Sequence, residues 1–185
     1  MFSKVDQRKA QADGDMVAGN KVTYNQSAYR PKSVEALLEK LKDQIDNNQH
    51  AQDTITELAR YHVRRSADGI DGLENKLEAA KLSHIYLDAI DKKERFAKLL
   101  ETMSLYSSAQ SIFAIFLAQV ENEFMYVVYP EIPNKSESEI NTMIIERIVK
   151  PICAESDCEV MHVDYDTVFG MVYWLAEQCF IRWHK

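Results

Sequence analysis

From residue 33 onward, apolar residues recur at spacings of three and four along most of the chain, which is the period of one helix face. Val34, Leu37, Leu38, Leu41 and Ile45 form the first such stripe, with Glu35, Glu39, Lys40 and Asp43 opposite it. Ser33 is the residue type that opens a helix. After polar residues 46–50 the stripe resumes at Ile55, Leu58, Ala59, His62 and Val63. Thr54 with Glu57 three positions on has capping-box form and predicts a new helix start there. Residues 64–72 are the clearest break, because Asp68-Gly69-Ile70-Asp71-Gly72 is turn chemistry. Leu73, Leu77 and Ala80 predict the next helix, followed by Ile90, Phe96, Leu99, Leu100 and Met103. Four serines between 104 and 111 predict a break near Ser107. Residues 112–128 then make the most apolar helix of the chain, ended by Pro130 and Pro133. Ser136 with Glu139 opens another helix through Ile140, Met143, Ile144 and Ile148, which Pro151 should stop. Residues 159–165 alternate loosely and fit one short strand or an extended approach to the last helix.

That last helix, with Asp166 as its expected cap, is apolar on nearly every side: Phe169, Val172, Tyr173, Leu175 and Ala176, then Phe180 and Trp183. Such a helix is central to a core or pressed on a partner. Its natural neighbour is the apolar stretch 112–128. Tyr173, Trp174, Phe180, Arg182 and Trp183 are residue types enriched at interface anchors. They are therefore the candidate partner-binding residues, with plain core packing as the competing reading.

Residues 1–30 have a different pattern. Gly14-Asp15-Met16-Val17 recurs five positions later as Gly19-Asn20-Lys21-Val22. Gly followed by Asp or Asn tolerates positive φ, and Val17, Val22, Thr23 and Tyr24 favour strands. Either a short β hairpin or β coil, or a flexible tail, fits this segment. A single small β piece cannot bury its own apolar side, so Val17, Val22 and Tyr24 are candidates for self-association. The expectation is a mainly α, multi-helix, bundle-like domain over residues 31–185, with residues 1–30 as an N-terminal appendage.

Composition narrows the function. The 185 residues fit one domain, and five glycines with four prolines suit long helices. The net charge of −7 favours solubility and disfavours general nucleic-acid binding. Residues 1–30 are slightly basic, whereas residues 131–166 carry nine acids against Lys135, Arg147 and Lys150. No secretory h-region follows Met1. The longest apolar run, residues 112–118, falls short of a membrane span of about 20 residues. Three cysteines, an odd number, suggest free thiols in a reducing cytoplasm.

Candidate chemistry is sparse. Cys153, Cys158 and His162 have C-x4-C-x3-H spacing, but a structural zinc site needs a second pair of ligands. Only Cys179 and His184 could fold back to supply it. A cysteine nucleophile, Cys158 or Cys179, would need His162 or His84 brought to it by the fold. Asp68 and Asp71, or Asp88 and Asp91, read as turn or cap residues, not a hydrolase pair. The glycines match no phosphate-binding or dinucleotide motif, so no cofactor is expected. Arg64-Arg65 is a short basic cluster that fits a solvated helix end or a phosphate contact. With the N-terminal lysines it is the basis of a nucleic-acid-adaptor reading.

Three stretches together carry a family resemblance: residues 14–22; Tyr61-His62-Val63-Arg64-Arg65 with residues 68–74; and Gly170-Met171-Val172-Tyr173-Trp174-Leu175 through Cys179-Phe180-Ile181-Arg182-Trp183. They resemble the domain found at the C-terminus of effector proteins in bacterial ABC-ATPase three-component systems. Members of that family end in an aromatic-Leu segment, a Cys and an apolar-basic-Trp triplet. The resemblance implies a non-enzymatic, cytoplasmic coupling module of an antiviral defence or conflict system. Its implied partners are an ABC-type ATPase and a small middle component. A homo-oligomer is expected, with no membrane contact and with nucleic acid reached only indirectly. The chain departs from the family arrangement in that only the short Gly-Asp/Gly-Asn repeat precedes the domain. The alternatives are a small cysteine-dependent enzyme and a nucleic-acid-binding adaptor.

Overall fold

A computed structural model describes residues 31–65, 69–156 and 159–184, and the regular structure among them is helical. The helices are α1 (Pro31–Asp46), α2 (Thr56–His62), α3 (Leu73–Ala79), α4 (Tyr86–Met103), α5 (Ser107–Glu123), α6 (Glu137–Ile144), α7 (Lys150–Glu155) and α8 (Tyr165–Glu177). The mainly helical expectation therefore holds. The β piece expected over residues 1–30, with Val17, Val22 and Tyr24, lies outside the described residues. The strand allowed over 159–165 is absent among the described residues, and the chain approaches α8 without regular structure.

The helix starts show which sequence signals governed. The first helix begins at Pro31, not after Ser33, because proline suits the first helical turn, where its missing N–H costs nothing. The Thr54/Glu57 box does not form. Ile55 is the N-cap of α2, and its N–H donates to Gln110 Oε1 at 2.7 Å. The Ser136/Glu139 box does form. The Glu139 N–H donates to the serine hydroxyl, and Glu139 accepts from the Ser136 N–H at 2.9 Å. The cap of α8 is Asp164, not Asp166. It accepts from the Thr167 N–H at 2.8 Å and the Thr167 hydroxyl at 2.7 Å, which holds its carboxyl below the usual range.

Prolines bend the chain without ending it. After α5 a π-turn (Phe124–Val128) and a 3-10 turn (Tyr129–Asn134) carry the chain through Pro130 and Pro133. After α6 another π-turn (Ile145–Val149) leads directly into α7, so Pro151 does not stop the helix as expected. In both places the wider turn comes just before the proline. It relaxes the ladder where the ring would meet a carbonyl one turn back.

The core has α8 at its centre. Val168, Met171, Val172, Leu175 and Ala176 are fully buried. Contrary to the sequence expectation, α8 packs chiefly on α4 and only secondarily on α5. Gly170 is the reason. A Cβ there would sit 2.4 Å from the Lys92 carbonyl oxygen and 2.7 Å from Phe96 Cβ, so the backbones approach too closely for any side chain. The apolar α5 instead serves as a hub, touching α1, α2, α4 and α8. By length and apolar composition the helical stretch Ser107–Asn134 could cross a membrane, which the count of one uninterrupted run had missed. Here Ile112, Phe113, Phe116, Leu117 and Val120 are all buried against other helices. Two glutamines fasten the N-terminal half. Gln44 caps α5 from α1, accepting from the Ser108 N–H at 3.1 Å and donating to the Ser107 hydroxyl at 2.8 Å. Gln110 donates to the Ser104 carbonyl at 2.7 Å.

Candidate functional site

The chain leaves α8 through a left-handed residue, Cys179, at φ 63°. The Phe180 N–H donates to the Leu175 carbonyl at 2.9 Å and the Cys179 N–H to the Ala176 carbonyl at 3.0 Å, the hydrogen bonds of a Schellman turn. This turn aims residues 180–184 back across the body. Trp183 stands edge-on to Phe124 with centroids 5.2 Å apart and lies against Tyr173 at 6.0 Å. Phe180 meets Tyr61 at 4.8 Å. Trp174 takes Phe96 and His62 edge-on at 5.9 and 5.7 Å.

The basic pair of the α2–α3 loop locks this turn in place. Arg64 pairs with the Glu177 carboxylate, and its Nε donates to the Glu177 carbonyl at 3.2 Å. Arg65 donates its backbone N–H to the Gln178 carbonyl at 3.1 Å and lays its guanidinium 4.0 Å over the Phe180 ring. Glu121 of α5 accepts from Arg60 at 2.5 Å, from Arg65 at 3.3 Å and from the Tyr61 hydroxyl at 3.0 Å. Burial, then the Glu121 charge, pushes the Tyr61 phenol well above its ordinary range. Glu177 also accepts from the Leu73 N–H at 2.8 Å, supplying the cap that Gly72 cannot. Both arginines thus have carboxylate partners within the fold.

Four of the five aromatic-terminus candidates, Tyr173, Trp174, Phe180 and Trp183, are 6% exposed each, and Arg182 is half-buried. Tyr173 and Trp183 form part of a cleft of ≈130 Å³ with Ile85, Ile140, Ile144 and Val172 as further apolar wall. Lys135, Glu137 and Asn141 stand at its polar edge. His84 Nε2 lies 3.1 Å from Glu137 Oε1. Burial, with the charges of Asp88 and Glu137, pushes the Tyr173 phenol up to about 12. The cleft therefore has apolar walls and an edge that carries both Lys135 and Glu137. Exposed Leu87 lies two residues beyond Ile85.

The remaining candidates do not converge. Cys153 is half-buried, and burial pushes its thiol up, away from the thiolate a nucleophile needs. His162 is exposed beside Asp164 at 3.9 Å. Cys158 and Asp68 lie outside the described residues. Cys179 Sγ lies 3.6 Å from Asp71 Oδ1. Asp88 and Asp91 form helix-surface pairs with Lys92 and Arg95. No three metal-ligating side chains gather among the described residues. Sequence reasoning missed Lys76, which is 2% exposed and donates to the Ala176 and Ile181 carbonyls at 2.7 and 3.2 Å. Its position in the apolar stripe, one residue before Leu77 and three after Leu73, was the available signal.

No curated protein and no solved structure matches the chain. Residues 72–183, more than half of the 185, match the model of CTD9, C-terminal domain 9 of the ABC-three component (ABC-3C) systems. That span runs from the glycine before α3 to the tryptophan in the cleft, and by this match the chain belongs to the CTD9 family of ABC-3C systems.

Proposed function

We propose that the chain is a non-enzymatic coupling module of a bacterial antiviral defence system. In this reading it works in the cytoplasm and associates with an ABC-type ATPase and a small middle component. The observation that carries the reading is the CTD9 match across residues 72–183, since a component of a multi-protein system must recognise other components. The rigid build of the C-terminal turn suits recognition, because a preorganised surface loses little entropy on binding.

The partner surface proposed is the cleft edged by Tyr173 and Trp183. Its ≈130 Å³ suits one inserted side chain, not a cofactor-sized ligand of about 300 Å³ or more. The Glu137 carboxylate at its edge favours a partner that presents an apolar anchor beside a lysine or arginine. Trp174, Phe180 and Arg182 are not among the residues that line this cleft. Self-association through Val17, Val22 and Tyr24 is the corresponding proposal for the N-terminal segment, carried by the sequence pattern.

The test is an affinity pull-down of the tagged chain from its native host, with mass spectrometry of the eluate, repeated with Glu137→Arg. An ABC-type ATPase that co-elutes with the parent chain and is depleted about tenfold with the variant supports both the coupling and the cleft. An ATPase retained equally by both proteins removes the cleft. A homo-oligomer with no ATPase overturns the coupling reading.

A further inference from the structure

A second hollow, of ≈210 Å³, is lined by the C-terminal turn itself, Cys179 to Arg182. Arg65, Lys76 and Arg182 line it, with Met125, Phe180 and Ile181 as apolar wall, and no carboxylate lines it among the described residues. The three cations come from three separate places: the α2–α3 loop, helix α3 and the C-terminal turn. We propose that this cavity is a binding site for the phosphate group of a small phosphate-bearing ligand.

The charge balance carries the proposal. Lys76 is a buried ammonium whose acceptors are two neutral carbonyl oxygens. Those carbonyls belong to the end and exit of α8, and a helix C-terminus offers only about half a negative charge. Burying a charge without full compensation is costly. Nearby, the single Glu121 carboxylate is shared by Arg60 and Arg65, so one negative charge faces two guanidiniums. Among the described residues, Lys76, Arg60 and Arg65 bring three positive charges to this region against the carboxylates of Glu121 and of Asp71, the latter 3.6 Å from the lining Cys179 Sγ, an excess of one positive charge. A phosphate monoester carries about −1.5 to −2 at neutral pH and offers three oxygens to donors arriving from different directions. A carboxylate offers one charge and two oxygens. The ammonium has a third N–H beyond its two carbonyl bonds.

Size and walls agree. The volume corresponds to roughly seven waters at about 30 Å³ each, room for a phosphate and part of what bears it. The Phe180 ring carries the Arg65 guanidinium at 4.0 Å, which restricts its position, and a guanidinium offers the planar fork that suits bidentate oxyanion recognition. Arg182 is oriented in turn by Tyr129, whose hydroxyl accepts from its Nε at 3.3 Å and whose ring centroid lies 5.6 Å from its Cζ.

The experiment is a 1H–15N NMR titration of the full chain with inorganic phosphate and, separately, adenosine monophosphate, at ionic strength held constant with chloride. Saturable shifts confined to residues 179–182 and the Arg65 side chain are expected. Tighter binding of the nucleotide assigns the apolar wall to a base, and equal binding assigns the site to phosphate alone. Arg65→Gln should weaken binding about tenfold, with spectral changes in the free protein limited to its contacts Glu121 and Phe180 and their neighbours. Arg182→Gln should act similarly, and both avoid the risk that Lys76→Met fails to fold. Three results overturn the proposal: the same shifts with acetate or chloride alone, undiminished affinity in both arginine variants, or binding of a single-stranded oligonucleotide without binding of either small phosphate.

Discussion

The two hollows each take a residue from the consecutive pair Arg182 and Trp183, and they differ in character. Trp183 helps wall the apolar cleft, near the Asp88 and Glu137 charges, while Arg182 helps line the cationic cavity with Arg65 and Lys76. The residues after α8 that enter the two are immediate neighbours, Arg182 for the one and Trp183 for the other. The difference arises from direction. The Schellman turn at Cys179 releases the chain from the helix, and its side chains then go to different neighbours: Tyr129 for Arg182, Phe124 for Trp183. One short segment thereby couples two surfaces of unlike chemistry to a single helix, α8. A change that moves α8 should damage both hollows, and a change in one wall should damage only one.

The severest break is Gly170→Ala. Its Cβ would meet the Lys92 carbonyl at 2.4 Å and Phe96 Cβ at 2.7 Å, and a backbone oxygen cannot rotate away as a flexible side chain does. Overpacking of this kind costs about 1–3 kcal/mol and occasionally more. We expect the upper end, about 3 kcal/mol, by urea denaturation, with binding at both hollows impaired. A loss below about 1 kcal/mol would mean that α4 shifts freely and that the two hollows are not held by this contact.

A pH titration separates the hollows by charge. Tyr173 borders the cleft, where burial first and then Asp88 and Glu137 raise its phenol from 10.0 to about 12. Ionisation is disfavoured in the folded state, so the contribution of the neutral phenol is complete below pH 10. It is lost as pH rises through about 12. Over that window the parent protein should lose about 2–3 kcal/mol more than Tyr173→Phe. The shift at Tyr61 is common to both proteins and cancels. Equal losses would show that the phenol ionises freely and that the cleft is not a low-polarity place.

These two cases also mark what the sequence made legible. The helical architecture was readable from spacing, because amphipathic stripes such as Val34 to Ile45 are local patterns. So was the Ser136/Glu139 cap, whose partners are three residues apart. The pairing of α8 with α4 was not, since one glycine decides it by close approach and nothing in the spacing of residues 165–177 points to Lys92. Prolines were overread, because the π-turn that lets α7 continue past Pro151 depends on hydrogen bonding that a residue pattern does not show. The aromatic terminus was legible as a place of importance. Its division between interior faces and cleft edge is tertiary information. Lys76 stood in plain view on an apolar face and was passed over, because its acceptors lie 100 and 105 positions away.

Glu177→Ala tests the cationic side alone. The carboxylate accepts from the Leu73 N–H at 2.8 Å at the start of α3 and pairs with Arg64. Loss of the cap-like bond should cost about 1 kcal/mol, and the half-exposed pair with Arg64 adds little. Because α3 carries Lys76, phosphate affinity should fall while partner capture through the cleft stays near the parent level. If both fall together, the two surfaces are not separable through α3, and the comparison drawn above fails at that point.

The smallest effect concerns the turn that divides the two hollows. Cys179 holds φ 63°, a region where a Cβ costs roughly 1–2 kcal/mol and glycine is usual. Its thiol returns little, resting 3.6 Å from Asp71 Oδ1 and 3.8 Å from the Glu177 carbonyl, long and weak contacts. Cys179→Gly removes that strain but makes the unfolded chain freer, so the net gain should be small, at most about 1 kcal/mol. Thermal unfolding would read it, and phosphate titration would show whether the turn keeps its direction. A stabilised variant with unchanged affinity means that the left-handed backbone, not the sulfur, sets the course of residues 180–184. A destabilised variant means that the thiol's contact with Asp71 holds the α2–α3 loop to the turn, and the cavity wall then depends on it.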